Sequence, residues 1–296
     1  MASNLRIATR GSALALWQAR HVAALLGAAD CELVVIETTG DKRRDVPIAQ
    51  VGGTGVFVKE VQAALLDGRA DLAVHSAKDL PSSEAPGLVI AAVPERADPR
   101  DCLVGSTLED LPPGALIATG SVRRRAQLIA HRPDLTFTEL RGNIDTRLAK
   151  APQYAAIVMA TAALDRLGRK DAIAEVLSPN VMLPQVAQGA LAVECRASDE
   201  QTRVRLAAIE HRPSRIAVDA ERAFLAELGG GCDLPVGAYA TVDGAEVTLE
   251  AMIASLDGHV VLRAVDTGGD PHELGVRLAA QLLDGSGARE LLLDVG

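Results

Sequence analysis

The residue pattern predicts an α/β chain of two lobes followed by a smaller α+β unit. Three observations carry this. Strand-like and helix-like stretches alternate from Leu5 onward, a βαβα rhythm that implies parallel sheets with helices on both faces. A polar, proline-bearing crossing, "ADPRD" at 97–101, divides that rhythm into two blocks. From residue 212 the pattern changes to one amphipathic helix, then alternating strands, then a last helix.

In the first block "LRIAT" reads as a strand, and Ser12 is placed to cap a helix on which Leu14, Trp17 and Leu25 share a face. "LVVIETT" reads as a buried strand. "VFVKEVQAALLDG" repeats apolar residues at helical spacing and stops at Gly68. "DLAVHS" and "LVIAAVP" are further strands. In the second block "GALIATG", "LTFTEL" and "AAIVMAT" are strands; "SVRRRAQLIA", "NIDTRLAK" and "AALDRLG" are helices. The second half of "LPQVAQGALAVECR" is a strand expected to rejoin the first block. The C-terminal unit takes the helix "SRIAVDAERAFLAELGGG", the strands "EVTLEAMIAS" and "HVVLRAV" joined by the turn "LDGH", and the helix "PHELGVRLAAQLLDG". Two α/β lobes facing each other make a cleft, with ligands expected at the C-terminal ends of the strands.

Composition excludes several classes. Hydrophobic residues make up 48% of the 296, enough for a sizeable core, but aromatics are only 2%. The core is therefore aliphatic, and a single-stranded nucleic-acid platform built on stacking is not available. A net charge of −9 does not draw in DNA as a whole, although a local basic site is compatible with it. The cysteines Cys31, Cys102, Cys195 and Cys232 have neither CxxC spacing nor histidine neighbours that would make a metal site, and no disulfide framework is expected. No apolar run approaches the ~20 residues of a membrane span. The first stretch, "MASNLRIATRGSALALWQ", carries charge inside its apolar part and reads as a strand and helix, not a leader. A cytoplasmic location follows as the expectation.

Four stretches carry candidate chemistry. "VHSAKDLP" sets Lys78 and Asp79 side by side where a strand ends; a solvated ion pair is one reading, a charge-stabilising pair the other. "TGSVRRRAQL" puts Arg123, Arg124 and Arg125 at a helix start, the end where arginine does not help the dipole, which points to a bound anion. Arg10, Arg141, Arg147 and Arg166 also lie at strand ends or turns, and guanidinium forks match carboxylates in two-pronged fashion. "GGGCDLPVG" sets Cys232 at the tip of a bare, glycine-rich loop after a helical stretch, an unusual place for one of only four cysteines. "GGTG" lacks the lysine and hydroxyl of a phosphate loop, and the stretch "GDKRRDVPIAQVGGTG" reads as a surface loop or a lid.

Eight segments in order, "LRIATRGSALALWQA", "GGTGVFVKE", "DLAVHSAKDLP", "ERADPRD", "GSVRRRAQL", "LRGNIDTRL", "QGALAVECR" and "GGGCDLPVG", closely resemble the porphobilinogen deaminase family over Leu5 to Gly237. The resemblance implies three domains: residues 1–95 with about 189–208, residues 99–184, and residues 212–296. The first two are like the lobes of a periplasmic binding protein, and the third carries a cofactor loop. It implies a transferase that joins four porphobilinogen units into the linear tetrapyrrole hydroxymethylbilane, releasing ammonia at each step, on a dipyrromethane cofactor held by a thioether. That attachment falls on Cys232. The family's catalytic aspartate falls on Asp79, with Lys78 beside it. Ser121, Arg123, Arg124 and Arg147, with Lys78 and Asp79, fall on cofactor contacts. Arg10, Ser12, Phe57, Arg141, Arg147 and Arg166 fall on substrate contacts. No metal, nucleic acid or membrane is implied, and a monomer is. Thr54, Gly120, Ala163 and Ala187 depart from the common pattern, where lysine, a hydroxyl residue and two glycines respectively are frequent. Two rivals fit parts of the sequence: a two-lobed binding protein for a polycarboxylate, which has no use for Cys232, and an enzyme using Cys232 as a transient nucleophile, which lacks a nearby histidine.

Overall fold

A computed structural model describes residues 4–27, 29, 31–38, 58–229 and 234–293. The chain divides into two compact units, residues 1–97 with 190–215 and residues 98–189 with 216–296.

The first unit is built on a five-stranded sheet of β1 (Leu5–Arg10), β2 (Cys31–Ile36), β3 (Leu72–Ser76), β4 (Leu88–Ala92) and β10 (Leu191–Arg196), in the order β2-β1-β3-β10-β4. β1 is parallel to β2 and β3, while β10 runs antiparallel to both β3 and β4. The period of two along β1 sends Ile7 to one face and Ala8 to the other. Ile7 packs with Val22 of the helix Ala13–Leu25 and Leu206 of the helix Glu200–Ala207. Ala8 packs with Val61 and Leu65 of the helix Lys59–Leu66, which ends ahead of Gly68 at φ +72°.

The second unit carries β5 (Asp101–Val104), β6 (Leu116–Ala118), β7 (Thr136–Thr138), β8 (Ala156–Ala160) and β9 (Glu175–Val176) in the order β7-β6-β8-β5-β9. β6 is parallel to β7 and β8, and β5 is antiparallel to β8 and β9. Its two faces are again separate cores. Leu103, Ile117 and Val158 meet Leu128 of the helix Val122–His131, and Cys102, Ala118 and Met159 meet Leu164 of the helix Thr161–Arg166. The same unit holds a three-stranded antiparallel sheet of β11 (Val236–Asp243), β12 (Glu246–Ala254) and β13 (Val261–Gly268). The helices Arg212–Glu227 and Pro271–Ala280 cross closely, because a Cβ on Gly275 would lie 2.5 Å from the Ala220 carbonyl oxygen.

The two five-stranded sheets share one order: second, first, third, an antiparallel insertion, fourth. Each inserted strand, β5 or β10, is the first strand after the chain passes between units.

Several expectations are corrected. The sheets are mixed rather than parallel, since β5 and β10 enter against the other strands. β2 is an edge strand rather than a buried one; only Ile36 in it is buried and Val35 is 53% exposed. On the first helix the buried stripe is Ala15, Gln18, Ala19 and Val22, and Leu25 lies 48% exposed on the face expected to matter. β5, β9 and β11 are additional strands that the pattern did not reveal. "ALAVEC" does return to the first sheet as β10.

Candidate active site

In the first unit, neighbouring parallel strands β1 and β3 end on the same sheet edge, so whatever follows them is brought together. After β1 comes Ser12 with φ −70° and ψ 149°, whose hydroxyl accepts from the Ala15 N–H at 3.2 Å and caps the helix start. Buried Thr9 donates to the Ala15 carbonyl at 3.1 Å and ties strand to helix. After β3 comes a 3-10 turn, Ala77–Asp79, pinned by the Ala77 N–H to the Ala190 carbonyl at 3.0 Å. Gln18 donates to the Ser76 hydroxyl at 2.8 Å across this edge.

The result is a recess with about 450 Å³ of empty space, including the solvent at its mouth. Arg10, Ser12, His75, Ser76 and Asp79 line it together with Leu14, Val58 and Val61. Lys78 is half-buried on the same turn. Among the described residues no donor is bonded to the Asp79 carboxylate, so an acceptor faces the recess unspent. His75 is buried with its Nε2 3.0 Å from Glu194 on β10, at ion-pair distance though not aligned as a hydrogen bond. Glu194 also accepts from Gln62 through both oxygens, at 3.0 and 3.1 Å.

In the second unit, β6, β7 and β8 are parallel neighbours, and the segments after them share an edge. Ser121 caps the helix Val122–His131, accepting from the Arg124 N–H at 3.4 Å. Gly120 lies against β7's continuation, since a Cβ there would come 3.1 Å from the Leu140 carbonyl oxygen; the departure at this position is a close fit. After β7, Asn143 caps the helix Ile144–Lys150, on which the Arg147 Nε donates to the Gly142 carbonyl at 2.8 Å. Arg141 is paired with Glu139 at 2.9 Å on the surface, and that contact lowers the Glu139 pKa. After β8, Arg166 donates to the Gly189 carbonyl at 2.6 Å, and burial pushes its pKa down to about 10 against the raising effect of Asp165.

Arg123 and Arg124 differ from the picture of open cationic forks. Both are buried, at 3% and 7% exposure, and both are bound to Asp101 on β5. Arg123 donates to Asp101 Oδ2 at 2.7 Å and to the Leu183 carbonyl at 2.6 Å. Arg124 meets Asp101 Oδ1 through Nε at 3.1 Å and a terminal nitrogen at 2.7 Å, and the Val158 carbonyl at 3.0 Å. Burial alone raises the Asp101 pKa, but the two guanidinium charges and the hydrogen bonds from Arg124 and Gln188 outweigh it and hold the carboxyl well below its usual range. Arg125 is exposed.

Phe57, Cys232 and the lid stretch with Thr54 lie outside the described residues. Of the other cysteines, Cys102 and Cys195 are buried, and burial pushes both thiols up to about 11. Among the described residues no cluster of His, Cys, Asp and Glu could hold a metal ion, and no helix is long and apolar enough to cross a membrane. Sequence reasoning missed Asp101, Glu194 and Gln188. Asp101 stood in plain view in "ADPRD", but its partners lie more than twenty residues away along the chain.

Two family models cover the chain: the dipyrromethane cofactor binding domain of porphobilinogen deaminase over residues 5–204, and the porphobilinogen deaminase C-terminal domain over residues 215–284. The chain belongs to the porphobilinogen deaminase family. A porphobilinogen deaminase of Brevibacillus brevis is 46% identical over 300 residues, 98% of this chain and 97% of that one. One of Nitratidesulfovibrio vulgaris is 48% identical over 305 residues, 99% and 96%. A Staphylococcus aureus protein, PG110, matches at 12% identity over 71% of this chain and 88% of its own, with a TM-score of 0.41, too low to bear on the argument. As a porphobilinogen deaminase family member, the chain is an ammonia-releasing transferase that builds hydroxymethylbilane from porphobilinogen with a dipyrromethane cofactor. The solute-binding and transient-thiol alternatives give way to this assignment.

The residues present fit such a cofactor. Its pyrrole rings carry acetate and propionate groups, and the segments that follow β6, β7 and β8 carry Ser121 at a helix start, Arg147 and Arg166. Arg123 and Arg124 add two buried positive charges against the single negative charge of Asp101.

Proposed function

We propose that Cys232 carries the dipyrromethane through a thioether, that Ser121, Arg123, Arg124, Arg147 and Lys78 hold its polar groups, and that Arg10, Ser12, Phe57, Arg141, Arg147 and Arg166 receive porphobilinogen. When bound, the dipyrromethane supplies the nucleophilic α-carbon from which the chain grows. Asp79 acts on the reacting pyrrole. Loss of ammonia from porphobilinogen leaves an azafulvenium cation, and a fixed carboxylate opposite that growing charge lowers the barrier by roughly 3–4 kcal/mol. The same carboxylate accepts from the pyrrole N–H. The observation that carries this reading is the Asp79 carboxylate facing the recess beside Arg10 with no protein donor bonded to it among the described residues. Arg10 and the Ser12 hydroxyl, which line the same recess, are suited to the substrate carboxylates.

The division into domains at 1–95 with about 189–208, 99–184 and 212–296 belongs to the same proposal, as do a monomeric state and a cytoplasmic location. Intact-protein mass tests the attachment. Wild-type chain purified from cells is expected to carry the added mass of two pyrrole units, and Cys232→Ser is expected to lack it. Active wild-type protein at its unmodified mass would exclude the thioether.

A further inference from the structure

The arginine pair at the start of the helix Val122–His131 does not stand alone. One fully buried carboxylate, Asp101, is shared by two buried guanidiniums, and among the described residues neither guanidinium has a second carboxylate within ion-pair distance. The group therefore holds two positive charges against one negative, a surplus of one positive charge out of contact with water. Arg123 Nε is buried with no hydrogen-bond partner, so the pair is also short of acceptors. Buried charge without a full partner is costly, and an anion brought against the pair would offset that cost. Asp101 is itself held from a third side: Gln188 donates to Oδ1 at 2.8 Å and to the Pro99 carbonyl at 2.7 Å. The Leu183 and Val158 carbonyls take a further donor from each arginine. Every anchor comes from backbone or from a neutral or acidic side chain inside the same unit.

We infer that Asp101 is a positioning residue of the cofactor site: it fixes both guanidinium forks before any ligand arrives and neutralises one of them, leaving one positive charge for a ligand carboxylate. The inference rests on the reading that Arg123 and Arg124 hold the dipyrromethane. Arginine side chains lose much rotamer freedom when they grip a ligand, and a fork already fixed by Asp101 has lost it on folding instead. Asp101 touches neither cofactor nor reacting atoms, so its influence falls on how well the cofactor is assembled and held rather than on the bond-making step.

The experiment compares wild type with Asp101→Asn and Asp101→Glu, each purified from cells. It reads the fraction of chains bearing the two-pyrrole mass, the melting transition, and KM and kcat of the loaded fraction. Asp101→Asn is expected to lower loading several-fold and to raise KM about tenfold, with kcat of loaded chains moving much less. Asp101→Glu, which restores the charge, is expected to recover part of the loading. If Asp101→Asn does not fold, Gln188→Ala takes its place; it removes the neutral anchor of Asp101 without changing charge, and a smaller shift of the same kind is expected. A folded Asp101→Asn or Gln188→Ala that loads like wild type with unchanged KM overturns the proposal, as does a fall confined to kcat. Wild-type chain without the adduct overturns the underlying reading, and the positioning role with it.

Discussion

The two lobes have one strand order and different electrostatic surroundings at their edges. In each, a strand ends, a glycine and a serine follow, and the serine caps a helix: Arg10–Gly11–Ser12 in the first, Thr119–Gly120–Ser121 in the second. In each, the inserted antiparallel strand carries a buried acid, Glu194 on β10 and Asp101 on β5. The partners differ. Glu194 meets His75 and Gln62 among its partners, while Asp101 is claimed by two arginines. At the edge of the first lobe an open carboxylate, Asp79, stands with the cations Arg10 and Lys78; at the edge of the second stand Arg147 and Arg166. Strand order decides which segments meet at an edge. Under the proposed roles, the side chains there set whether the edge stabilises a cation or grips an anion.

That division of labour can be broken by substitution. The largest expected effect is that of Asp79→Asn. An amide cannot balance the developing positive charge, so kcat should fall roughly 10²–10³-fold, with the melting transition little changed because the side chain is bonded to nothing among the described residues. Steady-state kinetics beside a thermal melt checks it, and wild-type turnover would move the chemistry out of the first lobe. Arg147→Ala comes next. Loss of one charge-assisted contact to a carboxylate is expected to raise KM or lower cofactor loading roughly tenfold or more while kcat of loaded chains stays close to wild type. If kcat fell instead and loading held, the contrast between a reacting lobe and a gripping lobe would fail. The smallest effect is expected at Ala187, a non-glycine residue at φ +59° whose N–H is bonded to the buried Glu221 at 2.6 Å. Ala187→Gly relieves left-handed strain but loosens the unfolded chain, and a net gain of about 0.5–1 kcal/mol is expected in a denaturant titration. A loss there would mean that the strain is absorbed by the segment around it.

Much of this was legible in the residues. The two serine caps, the Lys78–Asp79 turn at the end of a strand and the stop at Gly68 are local matters, settled by spacing and turn chemistry within a few residues. What was hidden is non-local. β5 was missed because "DCLV" offers only three apolar residues after a run of charges, and its pairing partners lie at 157–160 and 175–176. A buried surrounding for Arg123 and Arg124 could not be read from three adjacent arginines, because the acid that they share enters from the inserted strand. The departure at Ala187 was visible as a missing glycine, yet its physical meaning appears only with the backbone angle.

The buried cysteines have a consequence for a protein that handles a carbon electrophile four times in every catalytic round. A thiol that titrates near 11 is almost wholly protonated at neutral pH, and Cys102 and Cys195 are moreover walled off by aliphatic side chains. Sulfur that stays as S–H behind such walls does not compete for an activated pyrrole. Burying these two thiols thus keeps both of those sulfurs from being alkylated.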